Sequence, residues 1–130
     1  RLHRARRGAL DALRRMKDAG MRLCILSATG SDMVRSALER FGVLDLFEFV
    51  ACSDDWGGKT HERCFLAAAD KLGVRPDEAI VFEDALHAAR TAKAAGFMVG
   101  GVHDWSSDAD WPELRRIADW SAETLGEFEI

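Results

Sequence analysis

A chain of 130 residues is long enough to bury the core of one domain. Its 48% hydrophobic and 31% charged residues exclude a low-complexity or disordered segment, and no run approaches the roughly 18 apolar residues of a membrane span. The net charge of −4 gives no reason to expect a nucleic-acid partner; the Lys and Arg concentrated in residues 1–22 run unbroken into an amphipathic helix and read as its solvated face.

Residues 5–19 form the first predicted helix, with Leu10, Leu13 and Met16 inward and Gly20 just past its end. Residues 21–26 follow as a strand that closes at Ser27. The tight turn Ala28-Thr29-Gly30 leads to Ser31 or Asp32 as N-cap of a second helix, with Val34, Leu38 and Phe41 on one face and Gly42 as its stop. Residues 46–53 hold a short strand around Phe49-Val50-Ala51-Cys52. The loop Asp54-Asp55-Trp56-Gly57-Gly58 delivers Lys59, and Thr60 caps a third helix with Phe65, Ala69 and Leu72 inward and Gly73 at the stop. Pro76 and Asp77 make a turn. Ile80-Val81-Phe82 then reads as a strand buried on both faces, followed by Glu83, Asp84 and an alanine-rich helix ended by Gly96. A fourth strand spans residues 97–102. Residues 103–110 are a polar loop, residues 111–118 a short helix, and residues 120–128 an acidic tail with weak helical character.

Strands alternating with helices of about 10–15 residues predict a single α/β domain with a doubly wound parallel sheet. Cys24, Cys52 and Cys64 lack metal-ligand spacing; Cys24 in a strand and Cys64 in a helix read as small buried hydrophobes, and the odd count suggests a reducing cytoplasm.

In such a sheet three loops open on one edge, because each follows the carboxyl end of a strand. The first, Ser27-Ala28-Thr29-Gly30, offers a hydroxyl, backbone N–H groups and a helix N-terminus, suited to a phosphate but equally to any strand-to-helix turn. The second supplies Lys59, a charge for a phosphate or simply an exposed side chain. The third brings Glu83 and Asp84, hard oxygen donors suited to Mg²⁺, or acids that merely start a helix.

Together the three segments resemble motifs II, III and IV of the haloacid dehalogenase (HAD) superfamily, particularly its β-phosphoglucomutase-like phosphatases. Leu23-Cys24-Ile25-Leu26-Ser27-Ala28-Thr29 resembles that family's hydrophobic strand ending in Ser or Thr. Gly58-Lys59-Thr60 with Phe65 resembles its Gly-Lys-Pro helix entry, with Thr60 for Pro. Val81-Phe82-Glu83-Asp84-Ala85-Leu86 through Gly96 resembles its Val-Phe-Glu-Asp-Ser signature, with Ala85 for Ser and Ala88 for Gly. The resemblance covers roughly residues 5–104. It implies a Rossmann-like core and an Mg²⁺-dependent phosphatase or phosphomutase working on a small phosphorylated metabolite, such as a sugar phosphate, through an aspartyl-phosphate intermediate. By it, Ser27 and the Ala28 N–H hold the phosphoryl group, Lys59 pairs with that group and with the nucleophile, and Glu83 with Asp84 holds Mg²⁺. Phosphoryl transfer depends chiefly on positioning and charge neutralisation, which such groups supply.

The family's first motif, Asp-x-Asp after a hydrophobic strand, has no counterpart here. Asp108-Ala109-Asp110 lies in a polar loop with no buried strand before it. In the family the nucleophile strand lies between the strands ending at Ser27 and Asp84, and a cap domain follows it. The expectation is therefore an incomplete core: the carboxyl-terminal part of a longer enzyme, inactive alone, or a sheet completed by strand exchange or by association with the missing amino-terminal segment. The alternative is a non-catalytic binding module on a decayed HAD core. His87, one turn into its helix, reads as a surface or packing residue; His103 and Asp104 follow the last strand on the active edge and are within reach of a substrate there.

Overall fold

A computed structural model describes residues 2–129, with side chains from residue 7 onward. Helices and strands alternate through it: α1 (Leu2–Asp18), β1 (Leu23–Ser27), α2 (Ser31–Arg40), β2 (Phe47–Cys52), α3 (Glu62–Leu72), β3 (Ile80–Glu83), α4 (Leu86–Ala94), β4 (Met98–Val102), α5 (Trp111–Ile117) and β5 (Trp120–Ala122). Every strand pair among the described residues is parallel, which confirms the expected α/β class. The pairs fall into two groups, β1 with β2, and β3 with β4 and β5 in that order.

The core is assembled on α3. Its buried residues fall on two adjacent stripes, as a helical period near 3.6 requires. Phe65 and Ala69 pack with Ala88, Ala89 and Ala92 of α4, with Phe97 and Val99, and with Leu114 of α5. Ala68 and Leu72 pack with Phe49 and Ala51 of β2. Leu26 of β1 touches both groups, so α3 bridges the two sheets. The alanines of α4 are fully buried, and their small side chains let the helix lie close to the sheet. Burying Phe65 or Leu72 contributes about 1.5–3 kcal/mol each.

The opposite face is covered by α1 and the carboxyl-terminal segment. Phe82 of β3, Trp120 of β5 and Phe128 meet edge to face, with ring centroids 5.0–5.8 Å apart. Arg15 of α1 donates to the carbonyls of Gly126 and Phe128, at 3.2 and 3.4 Å, and ties this segment down. Gly100 of β4 lies beneath the cluster. A Cβ there would stand 2.6 Å from the Phe82 ring, so only glycine admits the close approach.

Several local expectations give way. Residues 120–128 are β5 and a 3-10 turn (Leu125–Glu127), since three residues, Trp-Ser-Ala, are too few to display a strand period. Gly30, without a side-chain cap, precedes α2, so neither Ser31 nor Asp32 is the N-cap. His61 occupies the N-cap of α3, and Thr60 stays in the preceding turn because the chain is still reversing there. Phe41 is 39% exposed rather than inward, and α2 buries no residue fully. Cys64 is buried, but Cys24 is only half-buried. Ile80, Val81 and Phe82 are likewise half-buried rather than enclosed on both faces. The cause is topological: β3 pairs with β4 alone and β1 with β2 alone, so each keeps one edge that no described strand covers.

Candidate functional site

Residues 28–30, 53–59, 84–85 and 103–110 all follow the carboxyl ends of parallel strands and share one edge of the molecule. Strand register sets Ser27 beside Cys52, and Glu83 beside Gly101, along that edge.

Lys59 reaches the edge through two glycines. Gly57 and Gly58 have φ of 91° and 85°, a consecutive pair that side chains resist, and a Cβ on Gly57 would come within 3.3 Å of the His61 ring. The Gly58 N–H donates to the Ser53 carbonyl at 2.9 Å and fixes the reversal. Lys59 Nζ is thereby brought to 3.0 Å from Glu83 Oε2, with 22% of the lysine side chain and 7% of the glutamate exposed. The second oxygen, Glu83 Oε1, accepts the backbone N–H groups of Asp84 and Ala85 at 3.2 and 3.3 Å, where α4 begins. An ammonium on one side and a helix start on the other hold this buried charge.

Asp84 stands on the rim, exposed. Partial removal from water, then the hydrogen-bonded carboxyls of Glu83 and Asp104, push its pKa up to about 6. Asp104 takes the opposite course. The Ser106 N–H, donating to its Oδ1 at 3.1 Å, holds it below the usual carboxylate range. The available sequence signal for Asp104 was its place directly beyond the strand now seen as β4.

A hard divalent cation such as Mg²⁺ takes carboxylate oxygens, and Asp84, exposed directly beyond the carboxyl end of β3, fits that chemistry. Both oxygens of Glu83 are engaged within the protein. Among the described residues, no three His, Cys, Asp or Glu are grouped to hold a metal ion. Of the adjacent pair, Asp84 is thus the exposed carboxylate at this edge, while buried Glu83 is taken up by Lys59 and the α4 amides.

Ser27 Oγ accepts the Thr29 N–H at 3.0 Å and shapes its own turn. Ala28 is exposed beside it, its carbonyl 4.0 Å from Cys52 Sγ. The fold therefore places Ser27, Ala28, Lys59, Glu83 and Asp84 on one edge and joins Lys59 to Glu83 directly, while no hydrogen bond links Ser27 to Lys59. Ser53, the first residue beyond β2, is 1% exposed and its hydroxyl is the one buried side-chain polar atom without a partner among the described residues. His87 is exposed on α4. Asp108, of the misleading Asp-x-Asp, is bound to His103 instead.

Parallel α/β sheets with a lysine–glutamate pair and a rim aspartate at their carboxyl edge place the chain in the Rossmann-like α/β class. Residues 2–96 match the haloacid dehalogenase-like hydrolase family, and the chain belongs to it. It is 35% identical over 96 residues to the validoxylamine A 7′-phosphate phosphatase of Streptomyces hygroscopicus subsp. limoneus, covering 73% of this chain and 45% of that protein. It is 34% identical over 120 residues to the pyrophosphatase PpaX of Bacillus pumilus, covering 92% and 55% respectively. Among solved structures, CbbY from Rhodobacter sphaeroides in complex with phosphate superposes with a TM-score of 0.79 at 26% identity, over 90% of this chain and 52% of that one. The chain spans about half the length of the curated relatives it matches. No described helix is long and apolar enough to cross a membrane.

Proposed function

We propose that this chain supplies the Lys59–Glu83–Asp84 side of an Mg²⁺-dependent phosphoryl-transfer site acting on a small phosphate ester. The observation that carries the reading is the Lys59–Glu83 pair, 3.0 Å long and largely buried, set beside Asp84 at the carboxyl edge of a HAD-family sheet. Lys59 neutralises a transferring phosphoryl group; Ser27 and the Ala28 N–H hold its oxygens at the end of β1. Asp84 would hold Mg²⁺, which supplies charge neutralisation at the phosphoryl oxygens when bound. Glu83 keeps Lys59 aimed at the edge. A sugar phosphate is a substrate of suitable size, and the names of the relatives, a phosphatase, a pyrophosphatase and a β-phosphoglucomutase from Mycobacterium tuberculosis, favour small phosphorylated metabolites. Three free cysteines suit a reducing, cytoplasmic setting.

The nucleophilic aspartate, and the aspartyl-phosphate formed on it, belong in this reading to a strand outside the 130 residues. The half-covered apolar strands β1 and β3, each with an unpaired edge, favour its docking between them, whether it comes from the same polypeptide or by strand exchange. The test is hydrolysis of a generic phosphate ester by the 130-residue chain with Mg²⁺, alone and mixed with a peptide bearing a hydrophobic strand that ends in Asp-x-Asp. The chain alone is expected to be inactive, and the mixture active and dependent on Lys59 and Asp84. Turnover by the chain alone that is lost in Asp84→Asn overturns the missing-nucleophile part. A peptide that binds without restoring turnover favours the interaction-module alternative.

A further inference from the structure

The imidazole of His103 is 3% exposed and both of its nitrogens face carboxylates from different segments. Nε2 lies 2.7 Å from Asp108 Oδ1, in the 3-10 stretch Trp105–Asp110, and Nδ1 lies 3.0 Å from Glu123 Oε2, just beyond β5. A neutral imidazole has one N–H and can satisfy only one of them; an imidazolium satisfies both. Asp108 and Glu123 are 58% and 62% exposed, so the ring is the buried centre of a bridge between two surface carboxylates. Trp105 and Trp111 close over it edge-on, with centroids 4.6 and 5.0 Å away. The His103 backbone N–H continues the ladder to Ala122 at 3.1 Å.

The loop so fastened carries Asp104, just beyond β4 where that strand runs beside β3 and Asp84. Asp104 itself is seated by Ser106 N–H on its side chain and Ser107 N–H on its carbonyl, at 3.1 and 2.9 Å. We propose that His103 is a positioning residue: its buried ring, bridged by Asp108 and Glu123, latches residues 104–110 to the segment beyond β5 and so holds Asp104 at the edge beside Asp84. The charged groups around the ring are Asp108 from the loop, Glu123 beyond β5, Asp104 next in sequence, and Arg115 of α5, which stacks over Trp111 at 5.9 Å. The latch stands without the phosphoryl-transfer reading; only its value for catalysis rests on that reading.

The test uses the full 130-residue chain and no substrate. Long-range nitrogen–proton spectra of the His103 ring report hydrogen bonding at each nitrogen, and amide exchange at Ser106 and Ser107 reports the loop. Both ring nitrogens are expected to be hydrogen-bonded and these amides protected. Glu123→Gln, far from the loop in sequence, is expected to speed exchange at Ser106 about ten-fold, as loss of one charged hydrogen bond would, with the Val99 amide unchanged. In a His103→Gln background the same substitution is expected to add nothing. A ring nitrogen without a hydrogen bond while the loop stays protected, an unchanged Ser106 in Glu123→Gln, or equal acceleration at Val99 would each overturn the latch. If His103→Gln does not fold, Glu123→Gln and the ring spectra still decide it, and failure leaves the phosphoryl-transfer reading untouched.

Discussion

Replacing Lys59 by Met should harm the fold more than replacing its partner, Glu83, by Gln. Removing one member of a fully buried ion pair costs about 3–5 kcal/mol, because the other charge is stranded. Here Glu83 is 7% exposed and keeps two backbone N–H donors, so Lys59→Met is expected to cost about 2 kcal/mol. Glu83→Gln leaves a 22% exposed ammonium on a flexible stem that can turn to water, and the amide oxygen can still accept from Asp84 and Ala85. That change is expected to cost about 1 kcal/mol. In the double variant no charge is stranded, and the combined cost should fall short of the sum by about 1 kcal/mol. Urea unfolding at pH 7 reads all three: with a slope of 1–3 kcal/mol per molar, Lys59→Met moves the midpoint down by about 1 M. A Glu83→Gln cost equal to or above that of Lys59→Met, or strict additivity, would refute the view that the buried glutamate depends on the lysine.

The raised pKa of Asp84 has a definite sign. The folded value of about 6 exceeds the ordinary 3.8, so the protonated carboxyl favours the fold, fully below the lower value and no longer once pH has risen through the higher one. Asp84→Asn should therefore unfold at a higher urea concentration than the parent at pH 7.5, by about 1 kcal/mol given the exposure of the site, and match it near pH 4. Gly100→Ala should cost about 1–3 kcal/mol, since the Phe82 ring it would strike is fixed by Trp120 and Phe128; a thermal midpoint within a degree of the parent's would contradict that packing. Burial pushes the Cys24 thiol up to about 11 and raises that of Cys64 as well, so both should resist alkylation in the native chain at pH 8, as mass spectrometry of iodoacetamide-treated protein would register.

Helices with their glycine stops and the parallel α/β class are legible in the residues because a 3.6-residue apolar period and a C-terminal glycine are local signals. The edge of the sheet that carries Ser27, Lys59, Glu83 and Asp84 is legible for a similar reason: in a parallel sheet, position after a strand fixes position in space. What the chain hides is pairwise. Glu83 looks like either a helix-start acid or a metal ligand, and only coordinates reveal that one oxygen serves the α4 amides while the other takes Lys59. Asp104 is invisible as a partner of Asp84 until β4 is known to lie beside β3. Asp108 and Glu123 pass for ordinary surface acids until His103 is seen between them.

Of the expectations that failed on burial, that for the β3 strand is the most instructive. Ile80-Val81-Phe82 and Leu23-Cys24-Ile25-Leu26 carry the unbroken apolar runs of strands meant to be enclosed on both faces. Among the described residues they remain half-buried. Helix propensity or turn chemistry cannot cause this, since α3, α4 and the aromatic trio cover these strands as a doubly wound fold requires. What they lack is a neighbour along the unpaired edge. An apolar run that exceeds the burial available to it measures a missing contact, here on both strands flanking Lys59 and Asp84. A strand docked there would pair the free backbone groups and bring its own carboxyl end beside Lys59, so completion of the core and completion of the site would be one event. If so, a complementing peptide should raise urea stability and restore turnover at the same peptide concentration. A stabilising peptide that ends in Asn-x-Asn should preserve the first effect and abolish the second.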